Sequence, residues 1–296
     1  MARILIVDDV PANLQILNVH LTDEKYKVIE SHSGQQALAY LAENPNTVDL
    51  ILLDVIMPVM SGLDVLAKLK RDPLTEHIPV ILVTANGDDK NVAEGLDMGA
   101  FDYIIKPYSL VVLLARVRAA LREKERQDLL EKWATTDPLT ELMNRRHFFE
   151  LAERELEQTR RSSRPLSFIM LDIDHFKEVN DNYGHLIGDL ALIKLAKLLK
   201  QQLRKVDFCG RYGGEEFILC LPDTPASGAL EVAERIRNEV SQISIESAKD
   251  QPLTFTISLG IAENKNDKNV EDILKRADSA LYNAKESGRN QTKIQL

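Results

Sequence analysis

The chain has 296 residues, 44% hydrophobic and 28% charged, with a formal net charge of −9. The length is a soft prior for two domains with sizeable cores, and the negative balance argues against wholesale binding to nucleic acid or to an anionic membrane. Two cysteines, Cys209 and Cys220, give neither a disulfide framework nor a zinc pattern, which fits small buried thiols in a reducing cytoplasm; the opening MARILIVDDV is too short an apolar run for a signal peptide, and no later stretch reads as a membrane span.

From the N-terminus, the β-branched runs RILIV, YKVIE, LILL, VILV and YII alternate with the helical patterns NLQILNVHL, GQQALAYLAE, GLDVLAKLK and NVAEGLDMG. Five apolar strands separated by helices predict an α/β domain over about residues 1–122, its parallel sheet covered on both faces. Strand one is followed by Asp8 and Asp9, strand three by Asp54, strand four by Thr84, and strand five by Lys106 ahead of Pro107. In open α/β sheets the functional crevice lies at the carboxyl ends of the strands, so these groups converge on one rim. Close carboxylates repel unless a divalent cation joins them, and oxygen ligands favour Mg²⁺. Such a cation would neutralise a phosphoryl group arriving at Asp54, with Lys106 and Thr84 on its oxygens. Helix capping is the plain alternative for a single aspartate, but it does not account for five residues at matching strand ends.

The segments ILIVDD, LLDVIMP, VTAN and DYIIKP resemble the flavodoxin-like receiver domain of bacterial two-component response regulators. The resemblance implies that Asp54 is the phosphoacceptor and that Asp8, Asp9, Asp54 and the Ile56 carbonyl hold one Mg²⁺. It further implies Thr84 as the switch hydroxyl, Tyr103 as the switch aromatic, Lys106 as the phosphate-binding lysine, and a sensor histidine kinase as partner.

One long helix follows, predicted over about residues 109–135, free of Pro and Gly and rich in helix formers. Apolar residues recur at Leu110, Leu114, Val117 and Leu121, but the same frame then reaches Lys124, Asp128 and Glu131; a second stripe, at Leu129 and Trp133, runs in another frame. A solvated charged linker is one reading. The other is a parallel dimeric coiled coil with two competing registers, whose balance shifts on receiver phosphorylation.

The second domain, about residues 136–296, opens with TTDPLTELMNRRHF. The strand PLSFIMLDID ends in Asp172 and Asp174. Helices are expected near His175 and from about Ile187, then a hairpin holding RYGGEEFILCLP, a helix over about 226–244, the strand LTFTISLGIAE and a last helix over about 270–286. The order β-α-β-β-α-β predicts an α+β, ferredoxin-like antiparallel sheet. In it Asp172 faces Glu215 and Glu216 at the hairpin tip. Adjacent glutamates in a tight turn repel, so they await positive charge, and a two-metal site around a phosphate supplies it. Gly213 and Gly214 let the backbone approach a phosphate or base.

DPLTELMNRRHF, DIDHFKEVND, GHLIGD, GGEEF and ALYNAKESGRN together resemble the GGDEF family, the diguanylate cyclases, over about residues 135–296. The resemblance implies condensation of two GTP into cyclic di-GMP with release of two pyrophosphates, and two Mg²⁺ per site. Asp172, the Ile173 carbonyl, Glu215 and Glu216 become metal ligands, and Glu215 also the general base. Lys177, Lys285 and Arg289 become phosphate contacts, and Phe176, Asn180, His185, Asp189, Gly213 and Gly214 substrate contacts; His185 either touches substrate or only orders its loop. Asp189 accepts from guanine N1–H and its amino group, which adenine cannot match at N1. One GTP per domain implies a homodimer, which the coiled coil would align. RKVD, with Arg204 and Asp207, and Arg235 on the next helix match the family's site for the product as allosteric inhibitor; an ordinary surface ion pair is the alternative. The sequence departs from the family's frequent glycine after DPLT, carrying Glu141 there. A nonenzymatic receptor for GTP or cyclic di-GMP and a cyclase of altered base preference are the competing readings.

Overall fold

The computed structural model describes residues 1–85, 89–162, 164–246 and 252–295. Two compact units divide the chain, Met1–Leu130 and Glu131–Leu296. In the first, β1 (Arg3–Val7), β2 (Lys27–Ser31), β3 (Leu50–Asp54), β4 (Val80–Thr84) and β5 (Asp102–Ile105) form a parallel sheet in the order β2-β1-β3-β4-β5. Helices α1 (Pro11–Asp23), α2 (Gly34–Glu43), α3 (Gly62–Arg71) and α4 (Asp89–Asp97) connect them. β3 and β4 are buried along their whole length, as strands covered on both faces must be. This is the flavodoxin-like arrangement expected.

The long helix α5 spans Leu110–Thr135. Its apolar stripe divides in an unforeseen way. Leu114 and Val117, with Leu113 and Ala120, are buried against Ile81, Val83 and Ile104 of the first unit's own sheet. That half of the stripe therefore has no surface left for a partner helix. Beyond it the exposed apolar residues are Leu129, Leu130 and Trp133, while Lys124 and Asp128 are ion-paired with each other.

In the second unit, α6 (Arg145–Ser162), β6 (Leu166–Ile173), α7 (Phe176–Tyr183), α8 (His185–Gln202), β7 (Phe208–Gly213), β8 (Glu216–Pro222), α9 (Ala226–Val240), β9 (Ile257–Glu263), α10 (Val270–Glu286) and β10 (Thr292–Gln295) follow in turn. The sheet order is β10-β9-β6-β8-β7. Four antiparallel neighbours reproduce the expected β-α-β-β-α-β core; β10 adds a parallel edge strand on β9 that the polar sequence TKIQ had not announced. Residues 253–255, expected as strand, make only a bridge from Leu253 to Ile245. Cys209 and Cys220 are buried in different core clusters, one on each side of the sheet. No helix among the described residues is long and apolar enough to cross a membrane.

Candidate functional site

Each unit gathers acids at one strand edge. In the first, β1, β3, β4 and β5 end beside one another, which brings Asp8, Asp9, Asp54, Thr84 and Lys106 together. Lys106 Nζ lies 2.8 Å from Asp8 Oδ2 and 3.2 Å from Asp54 Oδ2. One carboxylate oxygen each from Asp8, Asp9 and Asp54 lie within 4.8 Å of one another, the one such trio among the described residues. An all-oxygen set of this size suits a hard divalent ion such as Mg²⁺. Asn13 donates to both Asp8 oxygens at 3.0 and 2.9 Å. Burial pushes the Asp54 carboxyl above its ordinary value; Lys106 opposes that and Asp8 reinforces it. Burial pulls Lys106 down, but its bonds to Asp8 and Asp54 outweigh this and hold its ammonium above the ordinary range. The backbone of Ile56 hydrogen-bonds the Asp54 carboxylate, with its side chain exposed. Buried Thr84 ends β4, its carbonyl accepting from Lys106 N–H at 2.7 Å. Tyr103 is half-buried, with the Arg116 guanidinium 5.7 Å above its ring.

In the second unit, Asp172 and Ile173 close β6, and register sets Asp172 directly opposite Glu216 on β8. Glu215 sits in the turn between β7 and β8. The acids of this site do not close into a compact trio as the first unit's do. Instead the Lys285 ammonium, reaching from α10, lies 2.9 Å from Asp172 Oδ2. Burial pushes the Asp172 carboxyl up to about 6; Lys285 offsets part of this, and Glu215 and Glu216 add to it. Glu216 is raised too, first by burial, with Lys285 opposing and Asp278 and Glu215 reinforcing. A buried carboxylate held charged only by a borrowed ammonium is a site whose chemistry fits a divalent cation.

That arrangement costs stability once the Asp172 carboxyl is ionised. A folded-state value above the unfolded one means the native form binds the proton more tightly, so stability falls as pH rises from the ordinary carboxyl value through about 6. Asp172→Asn is therefore expected to raise the thermal midpoint of metal-free protein at pH 7.5, by about 2 kcal/mol in stability, and to bring no gain near pH 4. Melting curves at both pH values check this; an equal gain at both would contradict it.

The hairpin is braced from outside. Arg211 Nε donates to the Gly214 carbonyl at 2.9 Å, and its Nη1 lies 3.2 Å from both oxygens of Asp137 in the DPLT segment. Asp137 also accepts from Thr140 N–H at 2.9 Å and its hydroxyl at 2.7 Å. A Cβ at Gly213 or Gly214 would meet nothing within 4 Å, and Gly214 has φ +53. Packing thus does not demand these glycines; conformation demands the second, and both leave the tip open. Sequence reasoning passed over Arg211, Asp137 and the Arg145 guanidinium, which stacks 4.3 Å over the Tyr212 ring. Arg211, directly ahead of GGEE, was the available signal: an arginine beside two glutamates that turns to a third acid instead.

The base-recognition candidates meet where α7 packs on α8. A Cβ at Gly188 would fall 2.0 Å from Asn180 Oδ1 and 3.3 Å from Phe176 Cζ, so the glycine one residue before Asp189 makes room for both. Lys177 and His185, near the starts of α7 and α8, and Arg289, beyond α10, are exposed. Glu141, where the family often has glycine, adopts φ +53, the region glycine enters without strain; its side chain is held by Lys132 at 2.6 Å. Arg204 and Asp207 share a turn, Arg204 N–H donating to Asp207 Oδ2 at 2.9 Å. Arg235 donates to the Gln202 side chain and carbonyl at 2.8 and 2.9 Å, two residues before Arg204. Asp207 Oδ1 is buried with no donor among the described residues.

Residues 134–291 match the family described as "Diguanylate cyclase, GGDEF domain", and residues 4–118 match the response regulator receiver domain. The chain is 29% identical to the response regulator PleD of Caulobacter vibrioides, with 98% of each covered. That alignment runs over 447 residues, longer than this chain, so a stretch of PleD has no counterpart here. It is 41% identical to diguanylate cyclase A of Treponema denticola, over 56% of this chain and 45% of the relative. Among solved structures, the coiled coil and GGDEF domain of DgcB from Caulobacter crescentus in complex with c-di-GMP aligns with TM-score 0.57 and 33% identity, over 63% of this chain and 100% of that one.

Proposed function

This chain belongs to the GGDEF diguanylate cyclase family and carries a response-regulator receiver domain ahead of that domain, and from this premise we propose that it condenses two GTP into cyclic di-GMP, with release of two pyrophosphates, under the control of phosphorylation at Asp54. The observation that carries the reading is the placement of Asp172 opposite Glu216, beside the open Gly213–Gly214 tip, with the Lys285 ammonium 2.9 Å from Asp172.

Asp172, the Ile173 carbonyl, Glu215 and Glu216 would hold two Mg²⁺, which supply Lewis acidity at the α-phosphate and acidify the attacking 3′-hydroxyl. Glu215 takes the hydroxyl proton as general base. Lys285 leaves Asp172 for the phosphates, where Lys177 and Arg289 join it and stabilise charge that grows in the transition state. Asp189 accepts from guanine N1–H and the amino group, Asn180 pairs with the rest of that edge, and Phe176 packs beside them. Adenine would set an acceptor against Asp189, a mismatch that such a site rejects strongly. His185 borders this pocket.

One domain holds one GTP, so turnover needs two copies face to face. The exposed stripe of Leu129, Leu130 and Trp133 on α5 is where a second helix would pack. A sensor histidine kinase would supply the phosphoryl group to Asp54; Asp8, Asp9, Asp54 and the Ile56 carbonyl would hold Mg²⁺, and Lys106 and Thr84 would receive the phosphoryl oxygens. Tyr103 then changes position; because Leu114 and Val117 are held in the receiver core, no second register runs through them, and the shift acts on pairing along the exposed Leu129, Leu130 and Trp133 stretch, by the receiver's differential interaction with its paired and unpaired forms. The direct experiment is incubation of the purified protein with GTP and Mg²⁺, with and without beryllofluoride as phosphoryl mimic. Absence of cyclic di-GMP under both conditions would reject the reading.

Product binding at Arg204, Asp207 and Arg235 would hold the domains in a nonproductive arrangement. Arginine can donate to guanine O6 and N7, and Arg204 and Arg235 are both exposed. At a cyclic di-GMP concentration that halves the wild-type rate, Arg204→Ala is expected to keep most of its rate. Equal inhibition of both proteins would reject feedback at this site.

A further inference from the structure

Asp174 lies two residues beyond Asp172, and the DID spacing invites reading both as metal carboxylates. Their surroundings separate them. Asp174 is 5% exposed, and both its oxygens are occupied. Oδ1 accepts from the Ser258 hydroxyl at 2.6 Å, and Oδ2 from the Thr256 hydroxyl at 2.7 Å and the Asn290 backbone N–H at 3.0 Å. One donor, Thr256, immediately precedes β9 and one, Ser258, is the second residue of that strand; the third comes from the turn that follows α10. Gly288, Arg289 and Asn290 in that turn have φ +111, +63 and +44. Left-handed arginine and asparagine side by side persist only where their surroundings hold them. Arg237 Nη1 grips the Asn290 side chain at 2.8 Å from the other side. The turn therefore hangs between a buried carboxylate and a guanidinium, with exposed Arg289 at its middle.

We propose that Asp174 is a positioning residue: it ties the left-handed turn that presents Arg289 to the strand end that carries Asp172. Phosphate contact and metal carboxylate then keep a fixed separation whether or not nucleotide is present. The role rests on the reading of Arg289 as a phosphate contact. A purely structural anchor would lower stability and nothing more, whereas a positioning residue acts through Arg289 and loses its effect when Arg289 is gone.

The test uses the full chain and a GTP analogue with a methylene between the α- and β-phosphorus atoms, titrated calorimetrically with Mg²⁺. Asp174→Ala is expected to weaken binding about tenfold. Arg289→Ala does the same, and the double variant binds no worse than the weaker single. Asp174→Asn recovers most of the affinity, since its oxygen still accepts from Asn290 N–H while its amide donates to the Ser258 hydroxyl. Additive losses in the double variant, or unchanged affinity in folded Asp174→Ala, overturn the proposal. Should Asp174→Ala not fold, Thr256→Val removes one donor from the same oxygen, and its cycle with Arg289→Ala decides on the same terms. A wild-type chain that binds no analogue overturns the cyclase reading itself; wild-type binding with additive losses overturns only this role.

Discussion

Glu215→Gln is expected to lower cyclic di-GMP formation by about three orders of magnitude or more, the scale on which a preorganised charged group acts at a reacting phosphate. The substitution keeps shape and removes the charge that, in the proposed reaction, would both hold metal and take the hydroxyl proton. It lies in a half-exposed turn whose geometry rests on Gly214 and on Arg211 bonded to the Gly214 carbonyl and Asp137. None of those contacts involves the Glu215 side chain, so the thermal midpoint should stay near that of wild type. Purified variant and wild type, assayed with GTP and Mg²⁺ beside melting curves, decide the matter. Activity within tenfold of wild type would remove Glu215 from the chemistry.

Asp54→Asn should leave the unstimulated rate in place and remove the response to beryllofluoride. Coupling between a receiver and its output is typically worth about 1–3 kcal/mol, a stimulation of roughly 5- to 150-fold, and the variant forfeits all of it. Asparagine keeps the size of a side chain buried to 6% exposure and leaves Lys106 its 2.8 Å pair with Asp8, so loss of response would not reflect loss of fold. Undiminished stimulation of the variant would contradict the assignment of Asp54.

The architecture of the first unit was legible because β1, β3 and β4 are short and apolar over most of their length, and because chemistry sits at the strand ends where topology makes ends coincide. The second sheet was legible through its core order but not at its edge: β10 is a polar four-residue strand, held by pairing with β9 rather than by any apolar pattern. The long helix showed the limit of periodicity. Leu114 and Val117 repeat at coiled-coil spacing, yet they are spent inside the receiver core; a stripe records that a face is covered, not by what. Within the candidate site, Asp172 and the hairpin glutamates announced themselves as charges without partners. Arg211 and Asp174 did not, because their work depends on contacts with segments far away in the chain, Asp137 for one and Asn290 for the other.

The two thiols have a practical consequence. Cys209 is pushed up to about 12 and Cys220 well above its ordinary value, both by burial, so neither will react readily with maleimide or a spin label in the native protein. A cysteine introduced at an exposed position such as Leu129 would then be the sole labelled point on each copy. Distances between two such labels would test whether the helices of two copies pair, and whether beryllofluoride alters that pairing, without first stripping the native residues from the chain.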